Sequence, residues 1–113
     1  MPVATCHCGA VRLTVADAPE EVTDCNCSIC RRTGALWAYW RPAEVTVETE
    51  DGVLKDYVQG DCMLALHHCT RCGCTTHWSP LRDDIDRMGV NARLFDPEIL
   101  AAARVRHNDG ASY

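Results

Sequence analysis

The chain carries the run Asp24-Cys25-Asn26-Cys27-Ser28-Ile29-Cys30-Arg31-Arg32, with three thiols spaced C-x-C-x-x-C. Zinc bonds thiolates at about 2.3 Å and takes four tetrahedral ligands. A sharp bend after Cys25 would turn all three sulfurs toward one ion. The run holds no fourth ligand, so that position is filled from elsewhere or stays open. An open position is what separates a catalytic zinc from a structural one.

Nine cysteines in 113 residues offer two explanations, disulfides or metal. The N-terminal Met1-Pro2-Val3-Ala4-Thr5 shows neither a charged nor an apolar signal segment, so a cytoplasmic location is expected. In a reducing compartment clustered thiols are metal ligands or reactive groups rather than a disulfide framework. The odd count argues the same way. Residues two apart on a strand also point to one side, which suits two thiolates on one ion.

Seven of the nine fall in three patterns, Cys6/Cys8, Cys25/Cys27/Cys30 and Cys69/Cys72. Two pairs make one closed tetrahedral set, so Cys6, Cys8, Cys69 and Cys72 are expected to hold a structural zinc. The triplet Cys25, Cys27 and Cys30 is left for a second zinc with an open position. The pattern also allows Cys25/Cys27 to join Cys69/Cys72. It equally allows Cys74, His67, His68 or His77 to close the triplet into a second structural site.

The length suits one domain over residues 1–113. Hydrophobic residues make up 47%, enough for a packed core. The net charge is -5 and the basic residues are scattered, which leaves no basic stripe for nucleic acid. No apolar run approaches the ~20 residues of a membrane span.

Alternation and composition predict a mainly β domain of short strands. Strands are expected over residues 10–15, 35–40, 45–49, 53–58, 62–68, 75–78, 86–94 and 104–107. Residues 20–24 read as a lead into the thiol run. Asp51-Gly52 and Gln59-Gly60-Asp61 read as turns. Ser28 can cap a helical turn that Gly34 ends. Asp96 and Pro97 can start a short helix over residues 99–103.

Cys6-His7-Cys8-Gly9-Ala10-Val11-Arg12, the run Cys25-Asn26-Cys27-Ser28-Ile29-Cys30-Arg31-Arg32 and His68-Cys69-Thr70-Arg71-Cys72-Gly73 resemble the glutathione-dependent formaldehyde-activating enzyme family, or CENP-V/GFA domain. Order and interval match over nearly the whole chain. The resemblance implies a β-tent of stacked antiparallel sheets and two zinc ions, a structural one on Cys6, Cys8, Cys69 and Cys72 and a second on Cys25, Cys27 and Cys30. It also implies addition of glutathione to formaldehyde, classed in reverse as a carbon–sulfur lyase. The chain departs from the family pattern in carrying Cys62 and Cys74. It is also short, which would leave out elements able to cradle glutathione.

An open zinc can stabilise a bound thiolate or polarise a carbonyl. Three thiolates bring the ion's net charge to -1, which weakens its Lewis acidity and points either to activation of a bound thiol or to no chemistry. The expected partners are therefore a small glutathione-like thiol and an aldehyde. The competing function is a zinc module that binds a protein or a small thiol without catalysis. Arg31 and Arg32 can receive a carboxylate, although solvated arginines are the commoner case. Trp37, Tyr39 and Trp40 can wall a pocket or sit in the core. His7 should face away from the metal. His77 reads as a hydrogen-bonded structural residue before a fourth ligand or an acid–base. Cys62 reads as a small buried hydrophobe. Cys74, two residues past Cys72, reads either as a neighbour of the first zinc or as an oxidisable thiol.

Overall fold

Val11, Leu13 and Val15 of strand β2 (Val11–Val15) are completely buried, while Arg12 faces solvent and Thr14 is half-buried. This is the period of two that the sequence predicts. Fully burying each such side chain contributes roughly 1.5–3 kcal/mol. β2 is the middle of a three-stranded sheet, paired antiparallel with β1 (Val3–Thr5) and β5 (Val45–Thr49). The chain's computed structural model describes residues 1–58 and 62–112, so the turn expected at Gln59-Gly60-Asp61 lies outside the described residues.

The second sheet has seven strands. Their order is β10 (Arg104–Asn108), β3 (Glu21–Cys25), β4 (Trp37–Trp40), β9 (Met88–Asn91), β8 (Thr75–Pro80), β7 (Leu64–Cys69) and β6 (Leu54–Val58). The fold is mainly β with stacked sheets, as expected. One pair departs from the antiparallel rule, because β10 runs parallel to β3. β9 is antiparallel to β4, and β4 to β3, so β9 and β10 point the same way. Strands in one direction need a crossover, and residues 92–103, with their short helix, supply it.

The lead at residues 20–24 is itself strand β3, and residues 3–5 form β1; neither was expected as a strand. The predicted strand over 86–94 is shorter, because Ala92–Leu94 close into a 3-10 turn whose first amide region is held by Asn91. Two short helices are present, one at the helical turn expected after the thiol run and one near the C-terminus. Helix α1 (Cys30–Thr33) starts after Ile29, not at a Ser28 cap. The Ser28 carbonyl instead accepts from the Arg32 guanidinium at 2.7 Å. Gly34 ends α1 as expected, at φ 71°, where a side chain would be strained. Helix α2 (Pro97–Ala102) starts at Pro97, and Asp96 contributes its backbone carbonyl but no side-chain cap.

The two faces of β4 divide the aromatic run Trp37-Ala38-Tyr39-Trp40. Ala38 and Trp40 point into the core between the sheets, with Leu13, Val22, Val90 and Phe95. The Trp40 indole donates to Asp17 at 2.9 Å and meets Phe95 edge-on at 6.1 Å. Trp37 points the other way, into a second cluster with Ala35, Leu66 and Trp78. Partly buried Tyr39, Ile29, Cys30 and Leu64 pack on that cluster. Gly89 of β9 makes room for the Trp78 indole, which a Cβ there would strike. The outer face of the large sheet therefore carries an apolar surface of its own beside the thiol run.

Candidate metal and substrate site

Cys6 and Cys8 do not lie on a strand. They follow β1 in a tight turn closed by Gly9 N–H to Cys6 carbonyl at 3.1 Å, with Gly9 at φ 81°. Cys69 ends β7 and Cys72 stands in the turn that follows, one residue wider, closed by Gly73 N–H to Cys69 carbonyl at 2.8 Å, again with φ 81°. Turn geometry, rather than strand alternation, makes each pair converge. The two turns meet so that the four sulfurs lie within 4.8 Å of one another. Cys6 and Cys8 sulfurs are 3.7 Å apart, and Cys8 and Cys69 sulfurs 3.6 Å. Four ligands at about 2.3 Å in a tetrahedron have edges of about 3.8 Å, so the spacing fits zinc.

The charges point the same way. Backbone amides of Cys74 and Cys8 pull the Cys72 thiol down to about 5, while Cys8 is pushed up to about 11 against the pull of the Ala10 amide, by burial and its neighbouring sulfurs. Thiolates this close repel unless a cation lies between them. The Val11 amide also donates to the Cys6 sulfur at 3.3 Å. Cys74 packs on the core beside this group but is not one of the four. His7 is exposed, and its backbone N–H, not its ring, reaches the Cys74 sulfur.

Cys25, Cys27 and Cys30 form the second group, with sulfurs within 4.8 Å of one another. Cys25 ends β3, Cys27 stands in the turn, and Cys30 opens α1. The Arg31 amide closes the turn on the Cys27 carbonyl at 3.1 Å. Among the described residues no fourth His, Cys, Asp or Glu joins this group. The alternative partition and the closure by Cys74 or a histidine are therefore absent from the geometry.

Each sulfur of the triplet receives N–H groups. Trp37 donates its indole N–H to Cys30 at 3.3 Å, and Asn108 its amide to Cys25 at 3.5 Å. Burial pushes the Cys30 thiol up to about 12 despite the Trp37 bond. Burial also raises Cys27, but amides of Cys30 and Ile29 outweigh it and leave that thiol lowered. The donor set fits a soft dication on chemistry as well as spacing. The C-terminal residues cover one side. A Cβ on Gly110 would lie 2.7 Å from the Cys25 sulfur. Asn26 binds Asp109 and the Ala111 amide, both at 3.0 Å.

The triplet forms one wall of a cleft of about 440 Å³ on the second apolar cluster. Ile29, Trp37, Leu64, Leu66, Trp78 and Ile85 line it, with Arg87. The Arg87 guanidinium lies 4.3 Å from the centre of the Tyr39 ring. A larger cleft, about 630 Å³, lies across Tyr39 and Arg87 and is lined by Asp17, Glu20, Glu21 and Glu44 but no thiol. Of these two clefts the smaller is the one lined by thiols.

Arg31 and Arg32 do not line the thiol cleft, and Arg32 is spent on Ser28. Arg87 is the arginine that lines it. Nothing in its local sequence marks it, since a strand pairing far from the thiols brings it there. Asn108, also unforeseen, arrives by the parallel pairing of β10 with β3. Cys62 is exposed rather than buried, at φ 59° in the segment before β7. A positive φ takes Cys62 out of the extended strand conformation expected from the sequence.

His77 is structural, as read. It is buried and stacks on His67 at 4.3 Å between ring centres. Its Nδ1–H donates to the Thr76 hydroxyl at 2.7 Å. Burial, then the neighbouring His67, lowers it to about 3, so it is neutral at pH 7. His67 donates Nδ1–H to Asp56 and accepts from the Ser79 hydroxyl at Nε2, both at 2.6 Å. These hydrogen bonds run across β6, β7 and β8, and neither histidine joins a thiol group.

The family model described as glutathione-dependent formaldehyde-activating enzyme matches residues 1–107. A crystal structure of a Rhodobacter sphaeroides protein, solved as a structural-genomics target, is similar with a TM-score of 0.74 and 29% identity. The likeness covers 92% of this chain and 99% of that one. No curated protein matches the chain. The family pattern thus extends from the first thiol turn through strand β10 up to His107, and the chain belongs to the glutathione-dependent formaldehyde-activating enzyme family.

Proposed function

We propose that this chain is a zinc-dependent carbon–sulfur lyase that joins a thiol to an aldehyde and parts the adduct in reverse, as in formation of S-hydroxymethylglutathione. The observation that carries the reading is the triplet of thiols with no fourth protein ligand, set against an apolar cleft. The family's activity concerns glutathione and formaldehyde. Cys6, Cys8, Cys69 and Cys72 would hold a structural zinc, and Cys25, Cys27 and Cys30 a second. Bound to the triplet, zinc supplies positive charge that favours the thiolate form of an incoming thiol.

The chain's own residues do the rest. Trp37 and Asn108 fix the orientation of the Cys30 and Cys25 sulfurs through N–H bonds. Trp37, Trp78 and Leu66 give the cleft apolar walls, beside which charge interactions are stronger than in open water. In the addition the thiol loses its proton and its sulfur forms the bond to the carbonyl carbon. The carbonyl π pair moves to oxygen, which takes up a proton.

The test is Cys27→Ser. We expect a folded chain that keeps one of two zinc ions by elemental analysis. It should no longer bind an added thiol (glutathione and 4-(mercaptomethyl)benzoate both offered) or raise adduct formation above the spontaneous rate. Collapse of the fold would make the triplet structural. A folded parent with two zinc ions, thiol binding and no rate above background would favour the non-catalytic binding module.

A further inference from the structure

Resting on the reading of the triplet cleft as the substrate site, its lining narrows the thiol. Glutathione brings two carboxylates and one ammonium. Among the described residues lining the cleft there is no Asp, Glu, Lys or His. Apart from the thiols, Arg87 is its one ionisable cation or anion, with Tyr39 as the phenol beside it. No carboxylate on these walls can pair an ammonium, and a charge without an ion-pair partner against apolar walls is disfavoured. The walls themselves are aromatic and aliphatic, and they suit a ring or alkyl body.

Arg87 is equipped for one anion. Its guanidinium rests on the Tyr39 ring, which holds the planar fork in place. Among the described residues no carboxylate lies within ion-pairing distance of it, although Arg41, Arg71, Arg82, Arg104 and Arg106 all have such partners. It is exposed, so it stands at the solvent side of the cleft.

We propose that the thiol accepted by this cleft is an aromatic or other apolar thiol with a single carboxylate, its body between Trp37, Trp78 and the leucines and its carboxylate on Arg87. The zwitterionic tripeptide is then the poorer ligand. Arg87 is a specificity residue: it binds the end of the molecule remote from the reacting sulfur.

Quenching of tryptophan fluorescence reads occupancy directly, since Trp37 and Trp78 line the cleft. The probes for the zinc-loaded chain are 4-(mercaptomethyl)benzoate, benzyl mercaptan and glutathione. We expect the first to bind at least about tenfold more tightly than the other two, the scale of one charge-assisted bidentate contact. Arg87→Met should remove that advantage over benzyl mercaptan and leave benzyl mercaptan binding unchanged. Glutathione binding as tightly as the benzoate overturns the proposal and leaves the triplet reading standing. So does an Arg87→Met variant that retains the full preference. Failure of all three thiols to bind overturns both. The series on the parent chain alone decides the matter if Arg87→Met does not fold.

Discussion

Trp37 and Cys30 are joined by an indole N–H to sulfur hydrogen bond of 3.3 Å, made from the strand next to β3 back to the first turn of α1. The bond links the cleft wall to the thiol set. Trp37→Phe keeps most of the buried surface and removes the donor. We expect a folded chain whose triplet gives up metal to a chelator about tenfold more readily, the lower end of the effect of losing an outer-shell partner. Cobalt substitution, followed through its thiolate absorption during competition, reads this. Unchanged retention would mean that the indole only packs.

The four-thiol group ties turns far apart in sequence, with Cys8 and Cys69 separated by 61 residues. Ion binding there closes a long loop and adds directly to folding free energy. Its loss is set against a whole-domain stability of about 5–15 kcal/mol. Cys6→Ser and Cys72→Ser should therefore fail to give a cooperative thermal transition by circular dichroism. A melting curve like the parent's for either one would show that the group does not hold the sheets together.

Gly110 lies against the triplet, with room for no Cβ beside Cys25 and Cys27. Gly110→Ala forces the C-terminal segment or the sulfurs to move. Because this segment is peripheral to the main core, the melting temperature should change little while metal loss from the triplet accelerates several-fold. Parallel measurement of melting and chelator-driven release distinguishes the two effects. An equal loss at both thiol groups would argue for general destabilisation instead.

His77 gives a pH dependence of definite sign. Its folded pKa, about 3, is below its ordinary 6.5, so the unfolded chain binds the extra proton first. The stability it contributes is complete above pH 6.5 and is lost as the pH falls toward 3. The loss approaches about 1.36 kcal/mol per pH unit in that window. His67, stacked on it, opposes its protonation, and Asp56 favours it. Urea denaturation of His77→Gln against the parent at pH 7, 6 and 5 isolates this slope from the acid sensitivity of the thiols. The variant should lose less stability on acidification, and identical slopes would remove His77 from the account.

Local chemistry wrote much of this protein into the sequence. The thiol intervals, the glycines at Gly9, Gly34 and Gly73, the alternation of Val11, Leu13 and Val15 and the order of the three motifs all lie within short stretches. Backbone sterics and ligand spacing act over such distances. Those features were enough for the family, the mainly β class and the division of seven thiols into four and three. Strand β3 has no clear local signature, because Glu21-Val22-Thr23-Asp24-Cys25 alternates weakly; its two buried members, Val22 and Thr23, are adjacent. The parallel entry of β10, which brings Asn108 to Cys25, depends on pairing across the chain and has no local signature. The same holds for Arg87 on Tyr39, and for the faces of β4 that send Trp40 into the core and Trp37 into the cleft. Residue spacing specified which atoms could hold a metal. Only the registers of the seven-stranded sheet decided what stands beside it, because contacts between strands are set by the burial of whole faces rather than by neighbours in sequence.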